Sequence, residues 1–188
     1  MSIPPTLPGE ALDFCSRCGG AMRTGPVDGE LRDRAYCPAC GFIAYRNPRL
    51  VVTALPITER GEVVLLRRGI EPGRGAWAQP GGFLEVDETV REGAVRETRE
   101  ETGLVVEPGA ILGLYSNVLA GIVVVAFEAA IVGGELTLNE EALAFGTFGP
   151  ATIPWAGVAF DTTTRALRDW VRRVDGPSRF GGATGLGD

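Results

Sequence analysis

Glu97, Glu100 and Glu101 fall within five positions of one another in the stretch from Gly82 to Leu104. At about 100° per residue of α-helix they share an arc of roughly 100°, with Arg96 at its edge. Ala94, Val95, Thr98 and Thr102 lie toward the other side and offer a modest face for packing. Carboxylates crowded in this way repel one another unless a cation neutralises them, and clustered oxygen ligands suit hard divalent ions such as Mg²⁺ or Mn²⁺. The plainer alternative is a solvated acidic helix laced with i,i+4 pairs, for which Glu92–Arg96 and Arg96–Glu100 have the spacing. The surroundings favour a site: Pro80-Gly81-Gly82 makes a turn just ahead of the helix, and Gly103 ends it as a C′ glycine.

A second set of chemistry-bearing residues lies upstream. All four cysteines occur as Cys15-x-x-Cys18-Gly19 and Cys37-x-x-Cys40-Gly41, with eighteen residues between the pairs. That is the spacing of a Cys₄ zinc ribbon. Each CxxC turn aims two thiolates at one ion, and so short a span needs the metal to supply its folding energy. Four thiolates close the coordination shell, so the Zn²⁺ would be structural. Two disulfides are the alternative, and the lack of a secretory signal argues against them.

The elements that must position these groups read as one ordinary domain with a small appendage, in 188 residues of which 45% are apolar and 22% charged. No apolar run reaches the length of a membrane-spanning helix, so no membrane partner and a cytoplasmic location are expected. The net charge of −6 argues against non-specific nucleic-acid binding. The ribbon agrees, with Arg17, Arg23, Arg32 and Arg34 nearly balanced by Asp28, Glu30 and Asp33. Histidine is absent, which excludes imidazole bases, Ser-His-Asp triads and histidine-ligated zinc.

Residues 1–13 and 176–188 read as flexible, 14–46 as the ribbon and 43–48 as a linker. Strands are expected over 50–57, 62–67, 111–115, 122–132 and near 145–148, with chain breaks at 71–76 and at Pro108-Gly109. The acidic helix is expected over about 88–102. A closing helix has Asp161 as N-cap, Leu167, Trp170, Val171 and Val174 as its packed face, and Arg165, Arg168, Arg172 and Arg173 as a solvated basic face.

Gly82, Glu88, then Arg96-Glu97-Thr98-x-Glu100-Glu101-x-Gly103-Leu104 resembles the Nudix box, with Thr98 the one departure, at a position where the family prefers an aliphatic residue. The resemblance implies a fold, an α/β/α sandwich with a mixed sheet, spanning 47–175 and preceded by the zinc ribbon. It also implies divalent-metal-dependent hydrolysis of a nucleoside diphosphate linked to another group. Glu97, Glu100, Glu101 and the Gly82 carbonyl would be metal ligands, Arg96 would pair with Glu88 to brace the loop, and Glu97 is a candidate base.

Beyond the box, YRNPRLVV, WAQPGGFLE and IPWAGVAFDTTTRALRDW are similar to a zinc-ribbon group that includes ADP-ribose and FAD pyrophosphatases. The NADH pyrophosphatases and RNA NAD-decapping enzymes carry Ser-Gln-Pro-Trp after the box; here Tyr115-Ser116-Asn117-Val118-Leu119 stands instead, which makes that branch the alternative. Glu128, Glu141, Arg67 and Tyr115 are candidate substrate contacts. Ala144 replaces a glutamate that relatives often have, which leaves the base open, and Gln79 stands where relatives often have Leu. The implied partner is a small-molecule nucleotide, and relatives commonly form homodimers. A non-catalytic nucleotide sensor on the same fold would be expected to have a degraded box; this one is intact.

Overall fold

The computed structural model describes residues 12–175; of the segments expected to be flexible, 1–13 and 176–188, residues 1–11 and 176–188 lie outside the described residues. The described residues divide into two compact units, 12–49 with 118–122, and 50–117 with 123–175.

In the first unit, β1 (Arg23–Gly25), β2 (Arg34–Tyr36) and β3 (Ile43–Ala44) form a small antiparallel sheet in that order. The two CxxC turns have the same backbone. Gly19 N–H donates to Cys15 O and Gly41 N–H to Cys37 O, at 2.8 and 2.9 Å. Both glycines sit in the left-handed region, at φ 72° and 71°, where a side chain would be strained. The stretch expected to be a linker contributes β3: Ala35 pairs with Ala44 and Tyr36 with Ile43. Two residues are too few to show a period, so the strand left no signal in the sequence.

The larger sheet is made of β4 (Arg49–Ile57), β5 (Val63–Arg68), β6 (Trp77–Ala78), β7 (Gly81–Phe83), β8 (Leu104–Asn117), β9 (Ile122–Gly134) and β10 (Ala142–Phe148), all of it in the second unit save the first residues of β4 and β9. The sheet order is β10-β5-β4-β9-β8, with β6 paired to β5 and β7 to β4. Two helices, α1 (Val90–Thr102) and α2 (Asp161–Asp175), complete it. Val124 to Phe127 in β9 are all buried. Successive strand residues face opposite sides, so both faces of the sheet are covered. On one face Val52, Val125 and Phe127 cluster with Ala94 of α1. Ala166, Leu167 and Trp170 bury α2. The architecture is the expected α/β/α sandwich.

Three local expectations need correction. β8 runs unbroken through Pro108-Gly109, because it is the last strand of the sheet order and an edge strand tolerates a proline that cannot donate to the ladder. Asp161 lies inside the first turn of α2 rather than ahead of it. Val174, expected on the packed face, is 53% exposed, and all of residues 172–175 are exposed, so apolar packing of α2 ends before its last turn.

The burial contrast along α2 is testable. Trp170→Ala should lower the free energy of unfolding in urea by about 3–5 kcal/mol, and Val174→Ala should stay within about 0.5 kcal/mol of the parent. Comparable losses from the two would contradict this packing.

Candidate active site

The α1 helix is fixed at both ends by hydrogen bonds that the sequence supplies. Thr89 caps it through a reciprocal box with Glu92: Glu92 N–H donates to Thr89 Oγ1 at 3.3 Å and Thr89 N–H to Glu92 Oε2 at 2.8 Å. The Thr-x-x-Glu signature was legible in the sequence, yet sequence reasoning passed over it. At the other end Asn139 donates to Glu100 O at 2.9 Å, and its Oδ1 accepts from the Glu141 and Ala142 N–H groups at 2.9 Å. Gly103, at φ 79°, ends the helix as the sequence led one to expect, its N–H donating to Arg99 O at 2.8 Å, and the Asn139 side chain ties this end of α1 to the start of β10. It too was missed, since its helix partner is 39 residues away.

The loop ahead of α1 is held from below by the sheet. Val51, Val52 and Thr53 of β4 pair with Phe83, Gly82 and Gly81. This places Gly82 so close to α1 that a Cβ there would lie 2.5 Å from both carboxylate oxygens of Glu97. Only glycine lets the backbone approach the carboxylates in this way.

Arg96 is the centre of the charge network. It grips Glu88 with two nitrogens, Nε at 2.9 Å and Nη2 at 2.6 Å. Its Nη1 reaches Glu97 at 2.7 Å and Glu100 at 3.1 Å, and Nη2 also donates to Phe83 O at 3.1 Å. Helix and loop are thereby tied through one guanidinium. Arg96 and the Glu85 N–H hold the Glu88 carboxyl down at about 2.

Glu101 has the opposite environment. It is 7% exposed, and its Oε2 accepts from Gly81 N–H at 2.9 Å. Burial pushes its carboxyl up to about 7 against the pull of that N–H, with Glu97 and Glu141 adding repulsion. Glu97 is also pushed up by burial, which Arg96 partly offsets. The Glu100 side chain remains 60% exposed.

The structure thus gathers Gly82, Glu88, Arg96, Glu97, Glu100 and Glu101 around one loop and one helix face. The other candidates lie in different settings. Glu128 pairs with Arg173 of α2 at 3.0 Å, and Arg173 also donates to Ile111 O and Leu112 O at 2.9 Å. The arginine face of α2 is therefore not wholly solvated, as expected from the sequence, because Arg173 reaches back to the sheet. Tyr115 is buried and its hydroxyl donates to Asp169 at 2.9 Å. Burial and Asp169 both raise its pKa. Arg67 is exposed and donates to Gly75 O. Glu141 follows the Asn139 turn, and its charge is felt at Glu97 and Glu101. Ala144 lies opposite Arg67 in the β10–β5 ladder.

Two donor sets fit metals of different kinds. The Sγ atoms of Cys15, Cys18, Cys37 and Cys40 lie within 4.8 Å of one another, an all-sulfur set suited to tetrahedral Zn²⁺. The α1 carboxylates with the adjacent Gly82 backbone are an all-oxygen set suited to Mg²⁺ or Mn²⁺. Glu97 is half-buried and Glu101 buried, at a cost to their charged forms that a divalent cation would relieve.

The raised Glu101 pKa makes a signed prediction for the metal-free protein. A folded carboxyl raised from 4.5 to about 7 favours the folded state below pH 4.5, and that contribution is lost as pH rises toward 7. Glu88, held low, acts in a separate window, its contribution being lost as pH falls from 4.5 toward 2. The melting temperature of metal-free Glu101→Gln should therefore vary less than that of the parent between pH 5 and 8. Parallel curves would show that Glu101 does not titrate there.

Comparison with known proteins accords with this geometry. The family described as "NUDIX domain" matches residues 47–157, and that described as "Nudix N-terminal", a zinc ribbon, matches 13–46. An ADP-ribose pyrophosphatase of Methanocaldococcus jannaschii is 32% identical over 136 residues, covering 70% of this chain and 78% of that protein. The NAD-capped RNA hydrolase NudC of Stutzerimonas stutzeri is 31% identical over 129 residues, and this chain spans 44% of its length. A NUDIX hydrolase structure from Nitrosomonas europaea superposes with a TM-score of 0.80 at 34% identity, covering 86% of this chain and 92% of that one. With the box residues gathered on one loop and helix and the four cysteines gathered on the other unit, the chain belongs to the Nudix family and is a Nudix-type enzyme with the family's N-terminal zinc ribbon.

Proposed function

We propose that this chain hydrolyses the phosphoanhydride bond of a nucleoside diphosphate derivative, ADP-ribose or FAD, using Mg²⁺ or Mn²⁺ held by Glu97, Glu100, Glu101 and the Gly82 carbonyl. The observation that carries the reading is the pair of carboxylates, half-buried Glu97 and buried Glu101, set against the Gly81-Gly82 backbone with their pKa values raised. Paired carboxylates at such expense to their own ionisation mark a functional site rather than a solvated face. When bound, the cations neutralise the diphosphate and lower the pKa of a bound water.

The chain's own residues do the rest. Glu88 and Arg96 brace the loop, so that the Gly82 carbonyl keeps its place beside Glu97. Arg96 balances Glu97 and Glu100 before cations arrive. Glu101 would hold a cation through its carboxylate, the charged form that burial disfavours in the cation's absence. Glu97 is the candidate base, Ala144 having left no carboxylate at its own position. Arg67, Tyr115, Glu128 and Glu141 are carried as candidate substrate contacts, although the partners of Tyr115 and Glu128 on α2 give those two a structural task as well.

Cys15, Cys18, Cys37 and Cys40 hold structural Zn²⁺ in a ribbon over 14–46, and the hydrolase part extends over 47–175. A homodimer, as is common among relatives, and a cytoplasmic location are part of this proposal. Among the described residues no helix is long and apolar enough to cross a membrane. The second reading is an NADH pyrophosphatase or RNA NAD-cap hydrolase, favoured by the similarity to NudC. Tyr115-Ser116-Asn117 in place of Ser-Gln-Pro-Trp speaks for the first. A nucleotide sensor without catalysis is disfavoured by a box with every carboxylate in place.

Phosphate release coupled to alkaline phosphatase, over ADP-ribose, FAD, NADH and NAD⁺ with Mg²⁺ or Mn²⁺, tests the proposal. ADP-ribose or FAD should be turned over, with kcat falling about 100-fold or more in Glu101→Gln and Glu100→Gln. Preferred turnover of NADH would select the second reading. No turnover of any of them by folded, zinc-loaded protein would rule out this substrate assignment.

A further inference from the structure

Gln79 is 5% exposed, and its Oε1 is, among the described residues, the buried side-chain atom left with no hydrogen-bond partner. Its other end is well used. Nε2 donates to Thr53 Oγ1 at 2.6 Å, in a bond buried at both ends. A buried amide with an idle carbonyl costs stability that a leucine of similar volume would not. A residue kept in that condition invites a functional account.

The surroundings supply one. Thr53 is the register partner of Gly81 in the β4–β7 ladder, and its Cγ2 lies against Gly81 so tightly that a Cβ there would be 2.5 Å away. Ala54 N–H donates to Pro80 O at 3.1 Å. Pro80 and Gly81 are thus held between two ties to β4, the Gln79 side chain on Thr53 and the backbone ladder. The group so fixed is Gly81 N–H, which donates to Glu101 Oε2 at 2.9 Å.

We propose that Gln79 is a positioning residue for Glu101: through Thr53 it holds the Gly81 N–H in line with the carboxylate, at the expense of fold stability. Gln79 touches neither cation nor substrate. The inference rests on the reading of Glu101 as a metal ligand, and it assigns a task to a residue outside the box.

The test compares Gln79→Leu, Thr53→Val and the double variant with the parent. Four quantities are read: melting temperature, exchange of the Gly81 amide in metal-free protein by NMR, Mn²⁺ affinity by EPR, and kcat against KM at saturating metal. Gln79→Leu should melt at the same temperature or higher. Its Gly81 amide should exchange faster, and Mn²⁺ should bind about tenfold more weakly, the usual loss when a residue supporting a ligand is removed. The loss should fall on kcat rather than on KM for the nucleotide. Thr53→Val should match it, and the double variant should add little, since both break one tie. Gln79→Leu that melts lower, with Gly81 exchange and Mn²⁺ affinity at parental values, would overturn the inference and leave Gln79 a core residue. A parent that binds no Mn²⁺ would instead overturn the hydrolase reading, and the positioning role with it.

Discussion

Like charges on one helix face repel, and α1 carries Glu97, Glu100 and Glu101 on the face turned to the box loop. Arg96 makes that arrangement stable before any cation is present. Its guanidinium meets Glu88, Glu97, Glu100 and the Phe83 carbonyl together, in the planar, forked geometry that lysine lacks. Losing Arg96 would release the loop and unbalance the carboxylates at once. The network also sorts the carboxylates by task. Glu88, pulled down to about 2, is a permanent anion and a brace. Glu101, pushed up to about 7, is poised to change charge when its surroundings change. Carboxyls driven apart by their environments in this way mark a division of labour.

The other unit solves a different problem by different means. The hydrolase part has enough apolar area to bury strands on both faces. The ribbon has three short strands and four convergent thiols. A core so small offsets little of its own ordering entropy, and a Zn²⁺ on the four thiols would supply the difference. The chain thus pairs a closed sulfur site that builds structure with an oxygen site beside an open helix face.

What the sequence revealed follows from where chemistry restricts residue choice. The box and the CxxC pairs were legible because ligands must be of set types at set spacings. The packed face of α2 was legible in Leu167 and Trp170 because helical period leaves a local trace. Contacts formed only by folding left none. Arg173 finds Glu128 across 45 residues, Asn139 finds the end of α1 across 39, and Gln79 finds Thr53 across 26. Pro108 misled for a related reason: its effect depends on whether its strand lies at a sheet edge, which is a property of the whole sheet. Val174 obeys the helical period but lies past the point where the apolar packing of α2 ends.

Anomalous scattering from crystals grown with Mn²⁺ would test the account at its centre. A manganese peak is expected among Glu97, Glu100, Glu101 and the Gly82 carbonyl, with Arg96 Nη1 withdrawn from Glu97 and Glu100 and its grip on Glu88 retained. Manganese absent from that face, or bound elsewhere while Arg96 keeps all its carboxylate partners, would contradict it.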